Sequence, residues 1–322
     1  MREAVFLRQN QERWHQYETQ PAAGPDELAQ RFVELTDDLS YARTFYPGST
    51  TTTYLNGLTG KLHQALYKNK KEDAGRFGRF WRRELPLLVA RHRYALLGSF
   101  LFFLLCTIIG ALSAALDDTF VRVVLGDSYV NQTLANIRKG DPMAVYKGKD
   151  ETLMFLTITL NNIKVSLYAF AGGITGGFLT TYLLFSNGLM LGSFQYFFYQ
   201  QGVLLPSVLT IWIHGTLEIS AIILAGGAGL VLGGSLLFPG TYSRRDSLRR
   251  GARDGMKLAL GLVPIFIMAG FLEGFVTRHT EMPLWASLTI IGLSAALILG
   301  YFVVYPWWVY RRGSGLPVSS AV

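Results

Sequence analysis

From residue 94 onward, long apolar runs alternate with short polar segments, and the runs have the length of membrane-crossing helices. A helical crossing needs about 20 mostly apolar residues. Tyr94–Leu116 meets this cleanly. The run from Leu153 to Ser186 is longer and holds Asn161, Asn162 and Lys164. Its pattern predicts a short opening helix, a polar break near Asn161, and a span over Val165–Ser186. Gly188–Gln201 is short and rich in Phe and Tyr, as in an oblique crossing or a re-entrant segment. Ser207–Leu237, Lys257–Val276 and Leu284–Trp308 complete six candidate spans.

The first 93 residues read differently. Val5, Phe6, Gln9 and Trp14 mark one helix, Pro25-Asp26-Glu27 opens a second, and Ser49–Lys71 carries Tyr54, Leu58, Leu62 and Leu66 at helical spacing. Gly57 and Gly60 weaken that third pattern. Residues 1–73 therefore form a small helical domain. Residues 74–93 alternate basic and apolar side chains, with Arg79, Arg82 and Arg83 beside Phe80, Trp81 and Leu85, the pattern of an amphipathic helix lying on an anionic leaflet. Residues 94–310 are the membrane domain and 311–322 a short tail. The loop 239–257 repeats the basic pattern through Arg244, Arg245, Arg249 and Arg250. On a membrane protein, lipid headgroups suit both stripes better than nucleic acid does. The loop 117–152 mixes apolar and acidic residues and reads as helical, lying on the outer surface.

Composition agrees with a polytopic all-α membrane protein. Half of the 322 residues are hydrophobic, only 16% are charged, and the mean hydropathy is +0.27. The net charge of +8 is unevenly spread: residues 1–93 hold 15 lysines and arginines and 239–257 hold six, whereas 117–152 balances five against six acids. Six crossings put both termini and the 239–257 loop on the basic side, which the positive-inside rule assigns to the cytoplasm. Tyr305, Trp307, Trp308 and Tyr310 then form an aromatic belt before Arg311 and Arg312. Cys106 is the single cysteine, which excludes an intramolecular disulfide.

Against this apolar background, His214 and Glu218 stand out as the only ionisable Asp, Glu, Lys, Arg or His side chains between Val203 and Phe238. They read H-G-T-L-E, one helical turn apart, so they share a face. Glu218 lies about 17 Å along a helix that starts at Ser207, near the middle of a ~30 Å hydrocarbon core. A carboxyl there must be paired or protonated. Partner candidates are His214, Lys164, Asn161, Asn162, Asn187 and Gln195, with Glu273 a second carboxyl in the fifth span. A satisfied polar network that fixes helix packing is the first reading; a proton, ion or substrate path is the second. A metal site ranks last, because zinc takes three or four protein ligands and the remaining membrane-side histidine, His279, lies in an outer loop. No H-E-x-x-H, G-x-S-x-G or Walker A motif is present, so no catalytic residue, metal or cofactor is expected.

Small-residue spacing predicts close helix contacts at Gly172/Gly176, Gly173/Gly177, Gly229/Gly233 and Gly270/Gly274. These pairs argue for a compact bundle or a homo-oligomer.

Asn161-Asn162 with Lys164, Asn187-Gly188 with Leu191-Gly192, and His214-Gly215-x-x-Glu218 followed by the glycine-rich Ala225–Gly229 resemble the stage II sporulation protein M family, across about residues 90–310. The resemblance implies a multi-span protein of the bacterial cytoplasmic membrane. It also implies a non-enzymatic scaffold, since the sporulation member anchors two peptidoglycan-degrading proteins, D and P. The basic N-terminal portion is similar to that of longer members from bacteria that do not sporulate, often encoded beside MoxR-type ATPases. The expected partners are the bilayer and other membrane proteins.

Overall fold

A computed structural model describes residues 2–67, 75–144, 150–279 and 282–313, and every regular element among them is helical. The chain divides into two compact units, Met1–Arg76 and Phe77–Val322.

The first unit holds α1 (Glu3–Thr19), α2 (Pro25–Phe45) and α3 (Thr50–Tyr67). Pro25 starts α2, with Asp26 and Glu27 at the positive end of its dipole. Phe6 and Trp14, Leu35 and Leu39, and Leu55, Leu58 and Leu62 bring one stripe from each helix into a shared core. Asp38 on α2 fastens α1 by accepting from Trp14 Nε1 at 2.8 Å and from Arg13 Nη2 at 2.5 Å. Gly57 and Gly60 lie within α3 beside open space, so its leucine stripe, not its glycines, holds it in place. The expected continuation of α3 to Lys71 lies outside the described residues.

Next come α4 (Arg76–Arg79), a π turn over Phe80–Glu84, α5 (Leu85–Arg91) and α6 (Arg93–Leu116). The stretch expected as one amphipathic helix is helical throughout Arg76–Arg91, with a π turn in its middle and Arg79, Arg82 and Arg83 on its exposed side. Leu85, Leu88 and Val89 are buried in the main core, and the π turn displaces backbone carbonyls that tyrosine hydroxyls then cap. Tyr301 donates to Trp81 O at 2.6 Å and Tyr305 to Arg82 O at 2.9 Å.

Among the described residues, five helical stretches are long and apolar enough to cross a membrane: Arg93–Leu116, Glu151–Thr175, Leu204–Leu237, Arg244–Val276 and Leu284–Arg311. Between the first and second, α7 (Phe120–Leu125) and α8 (Asp127–Arg138) are joined at Gly126, whose φ of 84° suits glycine.

The second stretch departs from expectation. α9 (Glu151–Ala171) runs unbroken past Asn161 and Asn162, because their side chains leave the helical backbone bonds intact. It passes through a 3-10 turn (Gly172–Thr175) and reverses at Gly176 and Gly177, with φ of 70° and 90°. α10 (Phe178–Gln200) then returns. Two successive left-handed residues make the turn, a conformation that only glycine adopts without strain. The expected spans Val165–Ser186 and Gly188–Gln201 are thus replaced by α9 and α10, and Asn187-Gly188 falls inside α10. α10 joins these five stretches, with Gly176 against Leu237 at one end and Gln200 bonded to Asp118 at the other.

α11 (Leu204–Leu237) is the central helix and packs against α6, α9, α10, α12, α13 and α14. α12 (Arg244–Leu260), capped by Ser243, leads into α13 (Val263–Phe271) and a π turn (Leu272–Val276). α14 (Leu284–Leu299), a further π turn (Gly300–Val304) and α15 (Tyr305–Gly313) close the described chain.

Glycines set the packing distances. A Cβ on Gly229 would strike Ala169 O, and one on Gly233 the backbone of Gly177. Gly270 and Gly274 press on Thr159 and Phe155 of α9. Gly172 and Gly173 pack against Thr180 and Gly229, whereas Gly176 and Gly177 are turn residues and not members of helical pairs. A further seam joins α6 and α10, where Gly192 meets Thr107 O and Gly110 meets Leu189 O.

Candidate intramembrane polar site

Three segments converge inside the bundle. α11 presents His214 and Glu218 on one face through their four-residue spacing. The π turn after α13 presents Glu273, and α9 presents Asn161 and Asn162. One ligating atom each from His214, Glu218 and Glu273 lies within 4.8 Å of the others. His214 is 4% exposed, and its Nε2 stands 3.7 Å from Glu273 Oε2.

The other imidazole nitrogen, Nδ1, lies 2.9 Å from Thr277 Oγ1. Thr277 Oγ1 itself donates to Leu272 O at 3.1 Å, which commits the hydroxyl proton. Oγ1 is therefore the acceptor for Nδ1–H, and Nε2 turns its lone pair toward the carboxyls. The π turn contributes directly: Leu272 O also accepts from Thr277 N at 2.8 Å, across five residues instead of four.

The cluster borders a cavity of about 540 Å³. Asn161, Asn162 and Asn187 add amides to its wall, Phe103, Leu191 and Ile211 supply apolar surface, and Val124, Leu125 and Tyr129 reach it from α7 and α8. Burial pushes the Tyr129 phenol above its ordinary pKa, partly offset by a hydrogen bond with Thr133. No lysine or arginine lies among the described lining residues. Asn162 is 5% exposed and faces the Glu218 carboxyl, with its Nδ2 outside regular hydrogen-bond geometry. Asn187 Nδ2 is used within its own helix, donating to Leu183 O at 2.8 Å.

Two expected members stand apart. Lys164 is exposed on α9 with Nζ 5.6 Å from the Tyr168 ring centroid, so it does not neutralise the carboxyls. Gln195 has a buried Nε2 without a partner but is not in the cavity wall. Thr277, Tyr129 and the α7–α8 roof were not anticipated; the four-residue spacing of Glu273 and Thr277 was the available signal. Thr277 lies in the wall of a different cavity, of about 560 Å³, with Asp141, Thr210, His279 and Met282.

Arg79, Arg82, Arg83, Arg244, Arg245, Arg249 and Arg250 are all exposed. Arg250 stacks 4.0 Å over the Tyr242 ring, and Arg311 lies 3.9 Å over Trp307.

Five candidate membrane spans and α10, gathered around a buried cluster of ionisable and amide side chains, define a polytopic helical membrane protein. The chain belongs to the Stage II sporulation protein M family, which it matches over residues 99–278. That match includes His214, Glu218, Glu273 and Thr277. Residues 4–68 match a second family, Domain of unknown function (DUF8413). No curated protein and no solved structure matches the chain.

Proposed function

We propose that the chain is a non-enzymatic scaffold of the bacterial cytoplasmic membrane, with its basic end in the cytoplasm. A rigid cationic band at one end of the bundle supports this most directly. The segment before α6 and the arginine face of α12 are tied together by Lys257–Glu84 at 2.8 Å and by Asp254, which pairs with His92 at 2.9 Å and Arg91 at 3.5 Å. The opposite face of α12 is fixed by Ser247, Gly251 and Gly255, with Ser247 Oγ donating to Ser235 O at 2.7 Å. The arginines therefore project from a fixed surface toward anionic headgroups, leaving the bundle and the first unit to engage membrane partners. The resemblance to an anchoring sporulation protein points the same way. Crosslinking in native membranes, then capture of the full chain in mild detergent, should recover stoichiometric membrane proteins. Recovery of lipid alone would refute the scaffold.

A second reading, a proton or ion path, draws on the two cavities, one lined by His214 and the other by its hydrogen-bond partner Thr277. The Thr277–His214 hydrogen bond stands between them, so a side-chain rotation there would connect the spaces. Reconstituted vesicles should then show a flux that Glu218→Gln alters while the fold survives. No flux in the unaltered protein would sink this reading.

A further inference from the structure

We propose that His214, Glu218 and Glu273 bind a divalent first-row transition-metal ion of the Zn2+ class inside the bundle. The inference is independent of both the scaffold and the path reading, since a bound ion could serve either.

The donor set is one imidazole and two carboxylates, drawn from two separate segments and gathered within 4.8 Å. Such N/O sets suit borderline and harder divalent ions. The imidazole is already oriented as metal-bound histidines are. Nδ1–H is given to Thr277 Oγ1, and Thr277 is held in turn by Leu272 O, so Nε2 is aimed at the carboxyls. The present separation of 3.7 Å between Nε2 and Glu273 Oε2 exceeds the roughly 3.3 Å that tetrahedral zinc with bonds of ~2.0–2.1 Å would impose. Closure from a spread of up to 4.8 Å thus requires donor movement of about 1.5 Å, within the reach of glutamate rotamers.

Charge gives an independent reason. If both carboxyls ionise, they bring two negative charges into an apolar bundle, and no lysine or arginine is among the described lining residues to offset them. A divalent cation cancels that charge in one step. Asn162 supplies the further observation: a 5% exposed amide that faces Glu218, with its Nδ2 outside regular hydrogen-bond geometry. That N–H can donate to a metal-bound water or hydroxide, and a rotated amide can offer its oxygen. With three protein ligands, the remaining position faces the cavity and is open to water or a small anion.

The test is metal loading of the full chain in mild detergent, after chelator stripping and reloading with Zn2+ or Mn2+. Metal content is read by mass spectrometry and affinity by competition with a chromogenic chelator. We expect about one ion per chain, with affinity about 10-fold or more lower in His214→Gln and Glu273→Gln. Thr277→Val, which removes only the positioning bond, should weaken binding about 10–100-fold. Lys164→Ala should leave binding unchanged. Unaltered, folded protein that takes up neither ion would overturn the site, as would variants that bind like the original. If the cluster variants do not fold, X-ray absorption of the Zn2+-loaded original protein decides. A first shell of N and O at about 2.0–2.1 Å with one imidazole supports the site; sulfur, or several imidazoles, refutes it.

Discussion

At Gly229 the backbone of α11 meets the α9–α10 hairpin with no side chain between them. A Cβ placed there would collide with Ala169 O and lie 2.5 Å from Thr180 Oγ1. Thr180 is fully buried and already donates to Ala169 O at 2.7 Å. Gly229→Ala must therefore break that hydrogen bond or push the hairpin away. Forced overpacking costs roughly 1–3 kcal/mol and a lost buried hydrogen bond about 1 kcal/mol more, so the substitution should destabilise the bundle by about 2–4 kcal/mol. Gly234→Ala, five residues along the same helix, is the control. Its Cβ meets nothing within 4 Å, and alanine should gain up to ~1 kcal/mol of helix propensity.

Thermal unfolding of the full chain in mild detergent, followed by helical circular dichroism, separates the two. Gly229→Ala should lower the midpoint by about 4–12 °C, and Gly234→Ala should leave it unchanged or slightly raised. Adding Thr180→Ala to Gly229→Ala should recover part of the loss, because it removes the hydroxyl and methyl contacts but not the carbonyl one. Equal effects of the two single substitutions would refute the reasoning. They would show that glycine at position 229 reflects composition and not contact.

Three further perturbations address other parts of the chain. Tyr301→Phe removes the donor to Trp81 O and should cost about 1 kcal/mol, seen as faster amide exchange across Phe80–Glu84; unchanged exchange would mean the hydroxyl does not cap the π turn. In the first unit, the hydrogen bond from Tyr17 holds the Glu34 carboxyl below its ordinary pKa of 4.5. A depressed carboxylate stabilises the fold above the unfolded value and loses that contribution as pH falls through the folded one. The α1–α2 contact should accordingly weaken below about pH 4.5 in amide exchange, and Glu34→Gln should flatten that dependence. Asp254→Asn breaks the pairing with His92 and Arg91 and should loosen Leu85–Arg91 by about 1–3 kcal/mol; a wild-type exchange pattern there would count against the tie between the two basic segments.

The membrane architecture was legible because hydropathy and length decide it. The runs beginning at Tyr94, Ser207 and Leu284 became α6, α11 and α14 with ends shifted by a few residues. The α9–α10 hairpin was not legible, because Gly172-Gly173 and Gly176-Gly177 satisfy a helix-contact spacing and a turn equally well. Only backbone geometry, with positive φ at Gly176 and Gly177, distinguishes the two. Moving the reversal there placed Asn187 and Gly188 in mid-helix against α6, a seam that treating Gly188 as a helix start could not reveal.

The site divides along a related line. Position along a helix can be read from 1.5 Å per residue, but rotation about the axis cannot be read without knowing the neighbours. Depth arithmetic made Lys164 a reasonable partner for Glu218, yet it lies two residues beyond the buried Asn162 and so emerges on the exposed side of α9. Glu273, a second carboxyl of the fifth span, lies beside His214 because the π turn holding Leu272–Val276 adds a residue to the local repeat and swings it inward with Thr277. The exchange of Lys164 for Glu273 inverts the charge logic. A lysine would have closed a neutral network with Glu218. A second carboxyl instead leaves a demand for positive charge that protons or a cation must meet.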